Sequence, residues 1–152
     1  MSGDSPVVVR ITHRYAASAE RVFDAWLDPA LIGRFMFGPH LRDERIVRLT
    51  VEPRVGGEFS FVVERQGQEF DHLGIYREID RPRRLVFTWG IRAHLPETSL
   101  VTIEIEPLAE GCELVLTHQM DPKWAEWQDR VAAGWTKMTT ALDEELSRTR
   151  PH

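Results

Sequence analysis

The alternation of apolar and polar residues predicts one strand at the start of the chain and a long run of strands in its middle. In the segment 7–15, residues 7, 9, 11 and 15 are apolar or aromatic, and residue 13 is a histidine. This period of two is that of a strand with one buried face. The same period returns near Ile46 and continues to Met120, with short interruptions rich in glycine, proline and charged residues. These interruptions divide the middle segment into six strands, and their shortness predicts an antiparallel meander.

One of the six strands has an irregular pattern. Gln66-Gly67 predicts a tight turn that leads into it, and the strand extends from about Gln68 to Ile79. Inside this strand the apolar residues change from one parity to the other. A β-bulge near Gly74 would explain the change.

Two short helices and one long helix are predicted outside the strands. Ser18 is a suitable N-cap for the first helix, and Asp28-Pro29 combines a cap with a proline at the first position of the second. Asp121-Pro122 repeats that signal and opens an apolar stripe with a spacing of three or four residues. A helix from Pro122 to Ser147 is about 39 Å long and can cross a whole sheet. Gly134 inside it predicts a close approach to a strand or a bend.

Length, composition and charge exclude several classes of protein. The 152 residues predict one domain, spanning 1–152, with a core from about 7 to 147 and flexible termini. The single cysteine, Cys112, excludes an internal disulfide framework and a four-cysteine zinc site. The net charge is −5 and the basic residues are dispersed, so we expect no nucleic-acid partner. We find no signal peptide and no apolar run of about 18 residues, so we expect a cytoplasmic protein without membrane insertion.

This order of elements predicts an α+β fold, in which a strongly curved antiparallel sheet of about seven strands wraps around the long C-terminal helix. A sheet closed on one side by a helix leaves a concave and mostly apolar space, which is where small-molecule sites tend to lie. The large aromatic residues predicted to face this space are either the wall of a pocket or a bulky filled core. The candidate ligand-binding residues are Trp26, Phe35, Phe37, Phe61, His72, Tyr76, Phe87, Trp89, His118, Trp127, Val131 and Trp135.

Polar residues at inward-facing positions are the candidates for chemistry, because a buried polar group costs about 1–3 kcal/mol unless it finds a partner. His118 and Tyr76 are the candidate catalytic residues for proton transfer, and His72 or His118 could orient a ligand. The alternative for each histidine is a structural role, held by hydrogen bonds. No histidine pair has the spacing of a metal site, and Gly56-Gly57 lacks the lysine of a phosphate loop, so we expect neither a metal nor a cofactor.

Six segments of the chain, taken in order, resemble the START-like superfamily, which is also called SRPBCC. The similarity is to its branch related to the C-terminal domain of the activator of heat-shock protein 90 ATPase, and it covers the chain from about Val7 to Leu146. This resemblance implies the helix-grip fold. The segments are ASAERVFDAWLDP at 17–29, VGGEF at 55–59, GIYREIDRP at 74–82, RLVFTW at 84–89, LVLTH at 114–118 and Gly134-Trp135.

The resemblance also implies a range of functions. Members of the superfamily bind lipids, sterols or polyketides under the long helix, some are polyketide cyclases or aromatases, and a eukaryotic member stimulates a chaperone ATPase. A hydrophobic or aromatic small molecule is therefore the expected partner, with a polyketide cyclase-like enzyme and a chaperone-directed interaction module as alternatives. The chain lacks the chaperone-binding domain of the eukaryotic protein, which counts against chaperone activation.

The resemblance also affects the expected site, through its catalytic residues and through the segment Arg34–Phe37. The family has no universal catalytic residue, so the pocket positions rest on strand parity, and binding is favoured over catalysis. The segment Arg34–Phe37 replaces a tryptophan-rich segment of relatives, which predicts a different chemistry at the mouth of the pocket. A homodimer formed through a strand edge or the long helix is left open.

Overall fold

A curved antiparallel sheet of seven strands in the order β1-β7-β6-β5-β4-β3-β2 organises the protein, so the predicted α+β helix-grip fold is confirmed. The computed structural model describes residues 6–39 and 41–148, and the termini predicted to be flexible lie outside this range. The strands are β1 (Val7–Tyr15), β2 (Arg45–Val51), β3 (Glu58–Arg65), β4 (Gln68–Asp80), β5 (Arg84–Ile91), β6 (Ser99–Pro107) and β7 (Cys112–Met120).

Two short helices, α1 (Ala19–Ala25) and α2 (Pro29–Phe35), follow β1. The Ser18 hydroxyl accepts a hydrogen bond from the Arg21 N–H group at 3.2 Å, and the Asp28 carboxylate accepts one from the Ala30 N–H group at 3.0 Å. Each cap satisfies a backbone donor that has no partner inside its helix. Both predicted caps are therefore present.

The last helical segment differs from the prediction of one continuous helix. Pro122–Trp127 forms a 3₁₀ helix, and the α-helix α3 begins at Gln128 and ends at Arg148. A 3₁₀ helix has three residues per turn, so the apolar stripe of α3 does not continue into it. Trp127 is consequently 38% exposed, whereas Trp135 on α3 is 4% exposed.

The predicted turn before β4 and the predicted irregularity within β4 are both present. Gln66 and Gly67 have φ angles of 51° and 81°, which are the values of a two-residue hairpin turn with the twist of the sheet. The register between β4 and β5 shifts between Tyr76 and Glu78, so the bulge predicted near Gly74 is present a few residues after it. Beyond the bulge Ile79 packs against the core, which explains the change of parity.

Gly74 has another role, which is to let an aromatic ring lie against the sheet. A Cβ atom at this position would come within 1.9 Å of the Thr88 carbonyl oxygen and 2.7 Å of the Phe59 ring. Gly134 is the opposite case, because a Cβ atom there would have no neighbour within 4 Å. The predicted close approach of α3 to a strand at Gly134 is therefore wrong.

The core lies between the inner face of the sheet and the three α-helices. α3 packs against β1 and α2, and the buried residues of β3, β5, β6 and β7 face the helices. One further 3₁₀ helix, Arg92–His94, leads from β5 towards β6. Among residues 6–39 and 41–148, no helix combines the length and apolar character that crossing a bilayer requires.

We expect Gly74→Ala to lower the free energy of unfolding by more than about 2 kcal/mol, because the added methyl group overlaps the Thr88 backbone and the Phe59 ring. Gly134→Ala is the matched control and should raise the free energy of unfolding by about 0.5–1 kcal/mol, since alanine is the better helix former. Urea unfolding of both variants measures the difference. A Gly74→Ala protein as stable as the wild type would contradict the close contact.

Candidate functional site

A small cavity lies where α1 and α2 meet the inner face of the sheet. Its volume is about 10 Å³, the room that one water molecule needs. Five of the seven residues of its wall are among the predicted ligand-binding residues, and the other two are Met36 and Phe59. The seven wall residues are Trp26, Met36, Phe59, Phe61, Tyr76, Phe87 and Trp89.

The Phe59 ring is at the centre of the wall. It stacks on Phe61 with 4.8 Å between ring centroids and on Trp89 with 5.8 Å, and it meets the edge of Phe87 at 5.5 Å. Such aromatic pairs stabilise a core by about 0.5–1.5 kcal/mol each beyond their buried area. These contacts restrict the movement of each ring. The unbranched Met36 side chain is the part of the wall that can change conformation most easily.

Phe59 and Met36 are the two wall residues missing from the predicted set, and only Phe59 could have been predicted from the sequence pattern. Phe59 has the same parity as Phe61 on β3, so the alternation contained the information. Met36 follows α2 in a segment without periodicity, and only the packing of the chain places it against the cavity.

Several predicted residues lie behind the wall instead of in it. Phe35 meets Trp26 edge-on at 5.1 Å, and Phe37 contacts Phe61 at 5.8 Å and His72 at 4.9 Å. Trp135 of α3 lies 5.5 Å from Trp89 between ring centroids. These residues support the wall without lining the cavity.

The two predicted residues on the last helical segment are placed less favourably. Val131 is half-buried against the core. Trp127 lies on the surface, where the Arg130 guanidinium is 4.6 Å from the centre of its ring. The structure therefore does not bring Trp127 to the site, because the 3₁₀ helix turns it away from the stripe of α3.

His118 has a hydrogen-bond partner at each of its two ring nitrogens. Trp135 Nε1–H donates to His118 Nδ1 at 3.0 Å, and His118 Nε2 is 2.6 Å from the Ser99 hydroxyl. That hydroxyl donates its proton to the Trp89 carbonyl oxygen at 3.1 Å, so it accepts from His118 Nε2–H. Both ring nitrogens are occupied, and burial lowers the pKa of His118 to about 4. His118 is a neutral structural histidine in this arrangement.

His72 is also neutral and structural. Its Nδ1–H group donates to the Phe61 carbonyl oxygen at 3.2 Å, which ties β4 to β3. Burial lowers the pKa of His72 to about 4, although the bond to Phe61 works in the other direction. The ring packs beside Trp89, 5.7 Å away between centroids.

Tyr76, Trp26 and Trp89 are the wall residues whose side chains carry a hydrogen-bond donor. Burial raises the pKa of the Tyr76 phenol, so its hydroxyl stays protonated at neutral pH. Trp26 is 3% exposed, and its Nε1–H group is buried without a hydrogen-bond partner among the described residues. The wall therefore combines apolar surface with one protonated hydroxyl and one unpartnered N–H donor.

The chain that follows α2 is fastened by a buried carboxylate. The Glu44 side chain accepts hydrogen bonds from the Gly38 N–H group at 2.8 Å, from Arg42 at 3.0 Å and from Arg65 of β3 at 2.7 Å. Burial alone would raise the pKa of Glu44, but the Gly38 N–H group and the two guanidinium groups lower it below its usual value. This cluster joins the segment that carries Met36 to the sheet.

Other candidate chemistry is not supported by the geometry. Burial and the charge of Glu20 raise the pKa of Cys112 to about 11, so its thiol is not a ready nucleophile. In the part of the chain that the structure describes, no three histidine, cysteine, aspartate or glutamate side chains gather around a common point.

Comparison with known proteins places this architecture in a family. The model of the family described as Activator of Hsp90 ATPase homolog 1-like protein matches residues 16–147. The chain belongs to this family. It therefore also belongs to the START-like, or SRPBCC, superfamily. No curated protein matches the chain.

Solved structures of similar fold come from several organisms. Protein CV1439 from Chromobacterium violaceum is 24% identical, with 90% of this chain and 94% of that one covered and a TM-score of 0.76. The AHSA1-like protein from Aeromonas hydrophila is 20% identical, with coverage of 96% and 98% and a TM-score of 0.77. PFC0360w, an HSP90 activator from Plasmodium falciparum, is 26% identical, with coverage of 92% and 96% and a TM-score of 0.71.

In this member of the Activator of Hsp90 ATPase homolog 1-like family, the segment Arg34–Phe37 contributes to the site in a way that its sequence does not reveal. Phe35 and Phe37 are buried in the core, Met36 between them faces the cavity, and the Arg34 guanidinium lies 3.5 Å from the Glu145 carboxylate of α3. The segment that was predicted to alter the mouth of the pocket therefore supplies the flexible side chain of its wall.

We expect the protein to lose stability as the pH falls from about 6.5 to about 4, because His72 and His118 bind protons more readily in the unfolded chain than in the folded one. Each pKa unit corresponds to about 1.4 kcal/mol, so lowering the pKa from 6.5 to about 4 makes each histidine contribute at most about 3–4 kcal/mol. His118→Gln keeps a donor and an acceptor but does not titrate, and it should flatten this decline in urea unfolding measured across the pH range.

His94→Gln, which changes an exposed histidine, is the matched control and should leave the decline unchanged. A His118→Gln protein that declines as steeply as the wild type would show that folding does not lower the pKa of His118.

Proposed function

We propose that the protein binds a small hydrophobic molecule between the inner face of the sheet and the helices. The cavity with its aromatic wall carries this proposal, since small-molecule sites are concave and mostly apolar, with few polar groups. Trp26 and Met36 come from the helical side, and the remaining wall residues come from β3, β4 and β5. The cytoplasmic location predicted from the sequence is part of the proposal.

A ligand must displace part of the wall, because a volume of about 10 Å³ holds only one water molecule. The interlocked rings are costly to move, whereas the Met36 side chain has three rotatable bonds and follows the end of α2. We infer that the ligand enters the space that Met36 occupies in the unliganded protein.

Binding without catalysis agrees best with the placement of the polar groups. A polyketide cyclase-like reaction needs an acid or base in contact with the substrate. Both nitrogens of His118 are engaged by side chains, and His118 is not part of the wall. Tyr76 remains, but burial raises the pKa of its phenol, which makes the hydroxyl a weaker proton donor and leaves no phenolate to act as a base at neutral pH.

We expect indane, a small apolar probe, to change the tryptophan fluorescence of the wild-type protein in a saturable way, because Trp26 and Trp89 both lie in the wall. Met36→Ala enlarges the space and should lower the Kd for indane about tenfold. Met138→Ala removes a methionine of α3 that lies outside the wall and serves as the matched control. The absence of a saturable response up to the solubility of indane, in the wild type and in Met36→Ala, would overturn the proposal.

A chaperone-directed role is the second candidate, and the nearly filled interior favours it, because a core with room for one water molecule needs no ligand to be complete. The solved structure of PFC0360w, 26% identical, belongs to an HSP90 activator, and the family description names the same activity. In this case the outer surface of the domain would be the functional part.

The second candidate predicts that the protein raises the ATPase rate of an Hsp90-type chaperone in a coupled-enzyme assay. Ile75→Ser and Leu95→Ser, which change exposed apolar residues, should reduce that stimulation, whereas Met36→Ala should not. Under the first proposal the ATPase rate stays at its basal value with each of these proteins.

A further inference from the structure

One buried donor in the wall lacks the partner that a comparable donor in the same core possesses. The indole N–H group of Trp135 donates to His118 Nδ1 at 3.0 Å. The indole N–H group of Trp26 is equally inaccessible and has no acceptor in the described parts of the chain. An unpartnered buried donor costs about 1–3 kcal/mol, and native structures keep few of them.

The neighbours of Trp26 pack against its ring but provide no acceptor for its indole N–H group. Phe35 meets the ring edge-on at 5.1 Å, and Trp135 lies 6.3 Å away between centroids. The other wall side chains are aromatic or aliphatic apart from Tyr76, so the wall offers few acceptors of its own. Because Trp26 is a wall residue, a molecule that occupies the cavity can supply this acceptor.

We propose that the ligand is an uncharged molecule with an aromatic or alicyclic body and one oxygen acceptor, and that Trp26 Nε1–H donates a hydrogen bond to that oxygen. This inference rests on the proposed function and specifies the ligand class for the same site. A ketone, an ether or an alcohol of the size of a bicyclic hydrocarbon has this chemistry. The protonated Tyr76 hydroxyl is the second polar contact that the wall can provide.

The composition of the wall explains why the ligand is uncharged. The wall contains no lysine, arginine or histidine that would balance an anion, and no aspartate or glutamate that would balance a cation. Burying an isolated charge in such surroundings is far more costly than burying a neutral group that is hydrogen-bonded. The polar side-chain groups that can direct the orientation of a neutral molecule are the Trp26 and Trp89 N–H groups and the Tyr76 hydroxyl, and of the two N–H groups the one of Trp26 is buried without a partner.

A single water molecule is the competing occupant, since the volume of about 10 Å³ is sufficient for one. Buried water typically makes about three hydrogen bonds and donates two of them, but the polar side-chain groups of the wall are the indole N–H groups of Trp26 and Trp89 and the Tyr76 hydroxyl, of which only the hydroxyl can accept. A carbonyl or ether oxygen is satisfied by one or two donors. The pairing of polar groups therefore favours a ligand oxygen over water.

The test compares indane with 1-indanone, which has nearly the same shape and adds one carbonyl oxygen, and with indane-1-carboxylate, which adds a charge. We expect 1-indanone to bind about tenfold more tightly than indane, and the carboxylate to bind more weakly than either. Protein labelled with ¹⁵N at its five tryptophans gives indole N–H resonances, of which the Trp26 signal should move downfield with 1-indanone but not with indane.

Two matched variants assign the effect to one N–H group. Trp26→Phe keeps an aromatic ring without the donor, so it should still bind indane but lose the preference for 1-indanone. Trp135→Phe removes an indole N–H group that already has a partner, so it should be less stable while it keeps the preference. The missing resonance of Trp26→Phe also identifies the Trp26 signal.

The outcomes separate this inference from the proposed function. Equal affinity for indane and 1-indanone, with an unmoved Trp26 resonance, overturns the ligand class and leaves the binding site in place. A water molecule that keeps its contact with the Trp26 indole in the presence of saturating 1-indanone also overturns the ligand class. Failure of all three probes to bind overturns the proposed function itself.

Discussion

The Phe59 ring can lie flat against the sheet only because residue 74 has no side chain. From this position Phe59 contacts Phe61, Tyr76, Phe87 and Trp89, so rings from three neighbouring strands share one contact point. This packing explains the small volume of the cavity and the restricted movement of its aromatic rings, and it leaves Met36 as the most flexible side chain of the wall. Interiors packed in this way respond to added volume by discrete displacement of a side chain instead of by gradual expansion.

Polar groups in the same interior divide into two kinds. The chain from Trp135 through His118 and Ser99 to the Trp89 carbonyl satisfies every member and connects α3 with β5, β6 and β7. Such a network stabilises one arrangement of helix and sheet, because each of its groups would be costly to bury alone. Trp26 stands apart from this network, and the difference between the two indoles distinguishes a structural tryptophan from one available to a ligand.

Membership in the Activator of Hsp90 ATPase homolog 1-like family accounts for the architecture, and the functional arguments come from the site itself. The polar residues with the strongest sequence signal, His72 and His118, support the structure. The polar atom on which the proposed ligand class depends belongs to Trp26, which the sequence placed among the candidate ligand-binding residues for its apolar ring and not for its N–H group. Hydrogen-bond partners, which a pattern of residues does not contain, make the distinction.

The strands, two helix starts and a hairpin turn were predictable from the sequence, because each depends only on residues that are neighbours along the chain. Alternation with a period of two determined the strands, Ser18 and Asp28 determined the starts of two helices, and Gln66-Gly67 determined a hairpin turn. Each depends on a few adjacent residues and on backbone angles that only some residues adopt easily. The short connections between the strands then favoured the antiparallel order of the sheet.

Tertiary packing decided the rest, because contacts between residues distant in sequence have no periodic signature. It set the exact position of the β4 bulge, between Tyr76 and Glu78, and it left open space where a side chain at Gly134 would lie. It formed the first turns of the last helical segment as a 3₁₀ helix, which put Trp127 on the surface, and it brought Met36 into the cavity wall. The sequence alone therefore determined which residues are aromatic and inward-facing, and the packing determined which of them surround a space.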